Sequence, residues 1–290
     1  MSEYIILSDS TNDLPASYLN NKDLAIIPME FLINGKEYKN YLDHKDMPIK
    51  EFYDLMRNGA IGKTNQINVA RFLDKYEELY KMGNDILVIA FSSALSGTYN
   101  SAILARNTFI EEHPDAKIEV VDSKCASMGE GLLVHYALEA KKKGMSLIEN
   151  KKYVEGLVQK ISHWFTVDDI DTLKRGGRLS GGAAFVAKTL KIKPVLYVSP
   201  EGKLIARMKK IGRKNSLNSL VEKFKELYIP EENPIVFISH GDSLEDAIYV
   251  KEEIEKQTGI TNFVINEIGP VIGSHSGPGT VAVFFISKER

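Results

Sequence analysis

This 290-residue chain has a single cysteine, a single tryptophan and no long apolar run. Cys125 alone cannot form an internal disulfide, which fits a reducing compartment. No apolar stretch approaches the ~18–20 residues that a membrane-spanning helix requires. The start, "MSEYIILSDS", carries an acidic residue early and only the short apolar run "YIIL". A signal peptide wants a basic start and a longer apolar core, so a cytoplasmic protein is expected. A dominant charge is missing too. The 37 basic and 39 acidic side chains leave a net charge of −2, and no broad field gathers nucleic acid or anionic membrane. The 6 histidines are scattered without ligand spacing, so no metal site is expected. Neither GxxxxGKS/T nor GxGxxG occurs, which removes the standard nucleotide loops.

What is present is 43% hydrophobic residues, in a chain long enough for two cores. Short apolar runs alternate with helical patterns. "YIIL" (4–7) reads as a strand, and "NDLP" (12–15) opens a helix. Asn34-Gly35 between apolar runs is a hairpin signal. "MPIKEFYDLMRNG" and "VARFLDKYEELYKMG" are helices closed by Gly59 and Gly83. "DILVIAF" and "KIEVVDS" are strands, each followed by a helix. In the second half, helices at "DDIDTLKR" and "GGAAFVAKTLK" precede the strands "KPVLYVS" and "KLIARMKKI". Two further helices then alternate with "PIVFISH", "NFVINEIG" and "GTVAVFFIS". The pattern predicts two α/β domains, 1–160 and 161–290. The first sheet is expected to be largely parallel and the second mixed.

In open α/β sheets, ligands sit where strands end and helices begin. Four stretches hold that position: "SDSTNDL" (8–14), "SSALSGTY" (92–99), "DSKCASMGEG" (122–131) and "IGPVIGSHSGPG" (268–279). "GKTNQ" (62–66) lies in a linker before a helix. Ser96, with small neighbours Ala94 and Thr98, has a faint likeness to a hydrolase elbow, and His275 offers a base. The glycines of that elbow are missing. "RGGRLSGG" (175–182) sets Arg175 and Arg178 in a Gly-rich turn before a helix, suited to an anion or simply to a turn. "DDID" (168–171) caps a helix start, Cys125 is a small buried hydrophobe, and His275 stands in a Gly- and Pro-fixed loop between two strands.

Taken together, these blocks resemble the DegV family. Its members show "DSxxDL", "TSQP", "SSxLSGTY", "DSxxxSxGxG", "RGGR" and a late "GxHxGPG". Here stand "DSTNDL" (9–14), "TNQI" (64–67), "SSALSGTY" (92–99), "DSKCASMGEG" (122–131), "LKRGGRLS" (173–180) and "IGPVIGSHSGPG" (268–279). The departure is "TNQI", which keeps Thr64 and Gln66 but has Asn65 and Ile67 in place of Ser and Pro. The resemblance implies a two-domain α/β protein that binds a long-chain fatty acid such as palmitate at a ligand site between its two domains, without a cofactor and without catalysis of its own. It would present the carboxyl group to an ATP-dependent fatty acid kinase partner, which makes acyl phosphate. Thr64 and Ser96 would hold the carboxylate, with Gly97 admitting the backbone, His275 nearby and Arg207 reaching the head. Arg175 and Arg178 would face the kinase or neutralise phosphate.

A carboxylate leaving water needs several hydrogen bonds or a counter-charge. An acyl chain of about sixteen carbons gains roughly 10 kcal/mol by burial, before ordering costs. The apolar face of "GGAAFVAKTLKI" is a candidate lining for the tail. Two other readings stand beside this one: a small-molecule enzyme acting on a phosphorylated or keto substrate, and a lipid carrier or sensor with no kinase partner.

Overall fold

The apolar runs of the first half form strands that are covered on both faces. The computed structural model describes residues 4–180, 191–288 and 290. The first half runs β1 (Tyr4–Asp9), β2 (Leu24–Ile27), β3 (Met29–Ile33), β4 (Lys36–Asn40), α1 (Ile49–Arg57) and β5 (Lys63–Asn65). It continues through α2 (Val69–Lys81), β6 (Asp85–Ala90), α3 (Thr98–Glu112), β7 (Ile118–Asp122), α4 (Met128–Lys142) and α5 (Leu147–Val158). The second half runs β8 (Ile161–Thr166), α6 (Ile170–Arg175), β9 (Leu179–Ser180), β10 (Ile192–Val198), β11 (Leu204–Ile211) and α7 (Arg213–Leu227). It ends with β12 (Val236–His240), α8 (Leu244–Thr258), β13 (Phe263–Glu267), α9 (Pro270–Ser276) and β14 (Val281–Ile286).

One sheet, ordered β2-β1-β6-β7, is parallel throughout. Strand alternation divides its side chains between two cores. Ile86, Val88 and Ala90 pack with α2 and α3, whereas Leu87 and Ile89 pack with α4 and α5. A larger mixed sheet is ordered β13-β12-β14-β8-β10-β11-β9. One of its faces, including Trp164, Val283 and Phe285, is covered by α7 and α8. The other, including Phe165, Ala282 and Phe284, joins the core that holds α4. Helix α4 therefore lies between the two sheets, and ten of its fifteen residues are buried. The expected parallel and mixed sheets are both present.

Gly129 permits that sandwich. A Cβ there would overlap the His163 ring, which is itself buried on β8. Gly129→Ala is expected to cost about 1–3 kcal/mol through overpacking. The check is a lowered melting temperature; an unchanged one would mean that the ring has room to move.

Several local expectations are corrected. "NDLP" opens no α-helix: 3-10 turns at Ser10–Asn12 and Ala16–Asn20 flank Asp13, which is left-handed at φ 49°. A left-handed residue followed two positions later by Pro15 stops helix propagation. "GKTNQ" is not a plain linker, because β5 pairs antiparallel with β3 beside the β3–β4 hairpin. Asn34 and Gly35 turn that hairpin with φ of 50° and 77°. The His275 segment is helix α9 rather than a loop. β8 is a fully buried strand that the polar letters of "ISHWFT" conceal. Asp169 caps α6 as "DDID" suggested, accepting from the Asp171 N–H. The expected helix "GGAAFVAKTLK", over 181–191, lies outside the described residues except for Lys191.

Candidate functional site

A cavity of about 390 Å3 opens between the mixed sheet and the loops that follow β6 and β7, with β3 and β5 of a small third sheet beside it. Pockets that take small organic ligands span roughly 300–1,000 Å3. Its apolar wall includes Phe165, Ala282 and Phe284 from the mixed sheet and Leu95 from the loop after β6. Val198 and Leu204 extend that wall along β10 and β11. The polar lining includes Thr64, Ser96, Arg178 and His275 from loops and short elements, and His163 and Ser239 from within strands.

Strand β5 presents Thr64, whose Oγ1 lies 2.9 Å from His275 Nε2. Burial, and secondarily the charge of Arg178, lowers the His275 pKa to about 4. The imidazole is therefore neutral at pH 7. Its Nδ1 is buried and has no hydrogen-bond partner among the described residues. Gly176 packs against that nitrogen so closely that a Cβ would overlap it. The tautomer with its proton on Nε2 leaves only a lone pair unpaired at Nδ1. In that tautomer Nε2–H donates to Thr64 Oγ1, and the Thr64 hydroxyl hydrogen is free for a ligand.

Ser96 Oγ lies 2.9 Å from Thr98 Oγ1 and accepts from the Thr98 N–H at 3.3 Å. Gly97, the N-cap of α3, faces Gln66, whose amide oxygen would overlap any Cβ placed there. Ser96 and His275 thus take different partners, and no Ser–His hydrogen bond of a hydrolase is formed.

Arg178 does not share an outer position with Arg175. It is half-buried on the cavity wall, and among the described residues its partners are carbonyl oxygens. Nε donates to Leu95 O at 3.3 Å and Nη1 to Gly176 O at 2.6 Å. Carbonyls satisfy these donors without cancelling the charge. Arg175, at the end of α6, is exposed and donates to Thr172 Oγ1 at 3.3 Å. It borders a neighbouring chamber of about 240 Å3, together with Lys63, Thr64, Arg178 and His275. Arg207 is exposed on β11 and is not part of the cavity lining.

Sequence reasoning passed over Gln66, Ser127 and Ser239, which also line the cavity. The first two stand inside quoted motifs, "TNQI" and "DSKCASMGEG"; Ser239, in "PIVFISH", has no signal beyond a polar residue in a buried strand. Among the described residues, no group of three or more His, Cys, Asp or Glu gathers to hold a metal ion. No helix among them is long and apolar enough to cross a membrane.

The family model described as "Uncharacterised protein, DegV family" matches residues 4–288. A DegV domain-containing protein of Clostridium perfringens is 43% identical over 290 residues, 100% of this chain and 99% of the relative. Among solved structures, a DegV lipid binding protein from Thermotoga maritima superposes with a TM-score of 0.85 at 30% identity, covering 99% of both chains. A stearic acid-binding protein from Eubacterium ventriosum superposes with a TM-score of 0.87 at 28% identity, covering 98% of both.

Proposed function

The chain belongs to the DegV family, and on that premise we propose that it binds a long-chain fatty acid in the cavity beside its mixed sheet. The carboxyl group lies at the Thr64, Ser96, His275 and Arg178 end. One observation carries this reading: an apolar cavity whose polar end combines neutral donors with an uncompensated guanidinium. The apolar walls supply affinity for the tail, at about 0.8 kcal/mol per buried CH2. The hydroxyls and the arginine fix which end of the ligand stands where. Solved relatives described as lipid-binding and stearic acid-binding support the ligand class.

The protein then presents the carboxyl group to an ATP-dependent kinase. The carboxylate oxygen takes the γ-phosphoryl group, ADP leaves, and acyl phosphate results. The chamber bordered by Lys63, Arg175 and Arg178 supports this step, because arginine grips phosphate or an acidic partner bidentately. The protein itself needs no cofactor for this role.

Native mass spectrometry of freshly purified protein tests the ligand class. A retained mass in the fatty-acid range is expected, and a clean apo mass that stays apo after palmitate is added would refute the reading. Thr64→Val and Ser96→Ala are each expected to cost roughly 1–3 kcal/mol of binding, because each removes a hydroxyl from a buried carboxylate's surroundings. Titration with a fluorescent fatty acid reads the change. Unaltered affinity in both would remove them from the head-group end.

A further inference from the structure

Two sequence blocks, "DSTNDL" and "DSKCASMGEG", contribute only Ser127 and its neighbour Ala126 to the cavity lining, and the rest of both lies elsewhere. They meet in a buried polar junction between the sheets, and the junction reaches α9. We propose that Asp13 is a positioning residue for the head-group end, supplying from the first half of the chain the cap that α9 lacks and so setting where His275 stands. This rests on the fatty-acid reading of that end.

Helix α9 begins poorly provided. Its N-cap is Gly269, which has no side chain to offer, and its first helical residue is Pro270, which has no N–H. The Gly269 N–H instead donates to Asp13 Oδ1 at 2.9 Å. A Cβ on Gly269 would lie 2.9 Å from that same oxygen and 2.8 Å from Asn40 Oδ1, so glycine allows the approach. Asp13 is fixed in turn. Its backbone is left-handed, a conformation Asp and Asn tolerate better than most residues. Its carbonyl accepts from Asn266 Nδ2 at 2.9 Å, just ahead of the same helix. Its Oδ2 accepts from Ser127 Oγ at 2.6 Å, and Ser127 Oγ lies 3.0 Å from Ser239 Oγ. Ser127 holds φ 52° and ψ −145°, a region costly for any residue but glycine. That conformation persists because the junction around it is over-determined.

The base of α9 is thus held from two sides, since Tyr53 Oη donates to Ile268 O at 2.8 Å. His275 follows Gly269 by six residues, about 9 Å along a helix, so a shift at the base reaches the imidazole. The ionisable groups that act on Asp13 or are acted on by it are Asp9 from β1, Glu130 from α4 and Tyr53 from α1.

The test compares Asp13→Gly with Asp13→Asn. Glycine removes the carboxyl group and tolerates the left-handed backbone. Asparagine keeps an acceptor for Gly269 and gains a donor for Ser127. The first readout is the His275 imidazole resonance in delipidated protein, followed through a pH titration. In Asp13→Asn it should stay displaced to low pH as in wild type, whereas in Asp13→Gly it should return toward an ordinary histidine titration. The second readout is palmitate affinity, expected to fall tenfold or more in Asp13→Gly and to stay within about threefold of wild type in Asp13→Asn. A His275 titration that is the same in all three proteins overturns the proposal. So does equal loss in both variants. If wild type binds no palmitate while the imidazole behaves as stated, the fatty-acid reading fails and the positioning role stands. Should Asp13→Gly not fold, hydrogen exchange at the Gly269 amide of wild type decides: exchange as fast as an exposed amide rejects the cap, and strong protection upholds it.

Discussion

Arg178→Ala is expected to weaken palmitate binding by roughly 30-fold or more, whereas Arg175→Ala leaves it within about threefold of wild type. The two arginines frame the same glycine pair, yet only Arg178 lines the cavity beside the apolar wall. Truncating one partner of a buried charge pair commonly costs about 2–5 kcal/mol, because the other charge is left unpaired. Two kcal/mol is about a 30-fold change in Kd. In the ligand-free protein His275 is neutral, its pKa lowered to about 4 by burial and secondarily by Arg178, which leaves Arg178 as the charged group at this end. Arg178→Lys should recover only part of the loss, because an ammonium cannot span Leu95 O and Gly176 O in a fixed fork. Arg175 is exposed, so its removal should be silent in binding and visible in acyl-phosphate formation with a cognate kinase at saturating palmitate. Calorimetric titration of the three variants, followed by the coupled kinase assay, separates these effects. Wild-type affinity in Arg178→Ala would send the search for a counter-charge back to Arg207. A lost affinity in Arg175→Ala would merge the two chambers into one binding unit.

The layered α/β architecture was legible because burial on both faces of a parallel sheet leaves continuous apolar runs such as "DILVIA". Helices with one apolar face and a terminal glycine were equally plain. What escaped were elements whose letters serve a neighbour. β8 reads as polar because His163 and Ser162 are buried in a strand that crosses the middle of the mixed sheet. α9 reads as a loop because its cap comes from Asp13, more than 250 residues earlier in the chain. The difference between Arg175 and Arg178 was also invisible. Three positions in a helix end and a turn rotate one side chain to the surface and the other onto the cavity, and composition carries no trace of that. Thr64 is assigned a role only through the family resemblance and His275 also through its Gly- and Pro-rich surroundings; the structure brings Oγ1 of the one within 2.9 Å of Nε2 of the other, 211 residues along the chain.

Asp13→Asn is expected to stabilise the protein at pH 8, and by less than half as much at pH 5. Burial raises the Asp13 pKa from 3.8 to about 7, with the Asp9 charge adding to it, while hydrogen bonds from Ser127 and Gly269 pull the other way. The folded chain therefore keeps a proton that the unfolded chain releases above about pH 4. Between those two values the unfolded state binds fewer protons, so the stability contributed by neutral Asp13 falls as pH rises. Above about pH 7 the penalty is complete, and three pKa units set its ceiling at about 4 kcal/mol. Asparagine has no charge to bury, and its amide still accepts from the Gly269 N–H and donates to Ser127 Oγ. The helix cap thus survives in both the neutral acid and the amide, and only the cost of the charge differs. Asp9 and Glu130, also buried with raised pKa values, titrate in both proteins, so the informative quantity is the difference between variant and wild type. Urea denaturation of both at pH 5, 6, 7 and 8 measures it. A difference that grows with pH toward roughly 2–4 kcal/mol in favour of asparagine is the expected result. A difference independent of pH would mean that Asp13 is as easily ionised in the fold as in the open chain, and that the junction between the sheets holds an ordinary carboxylate.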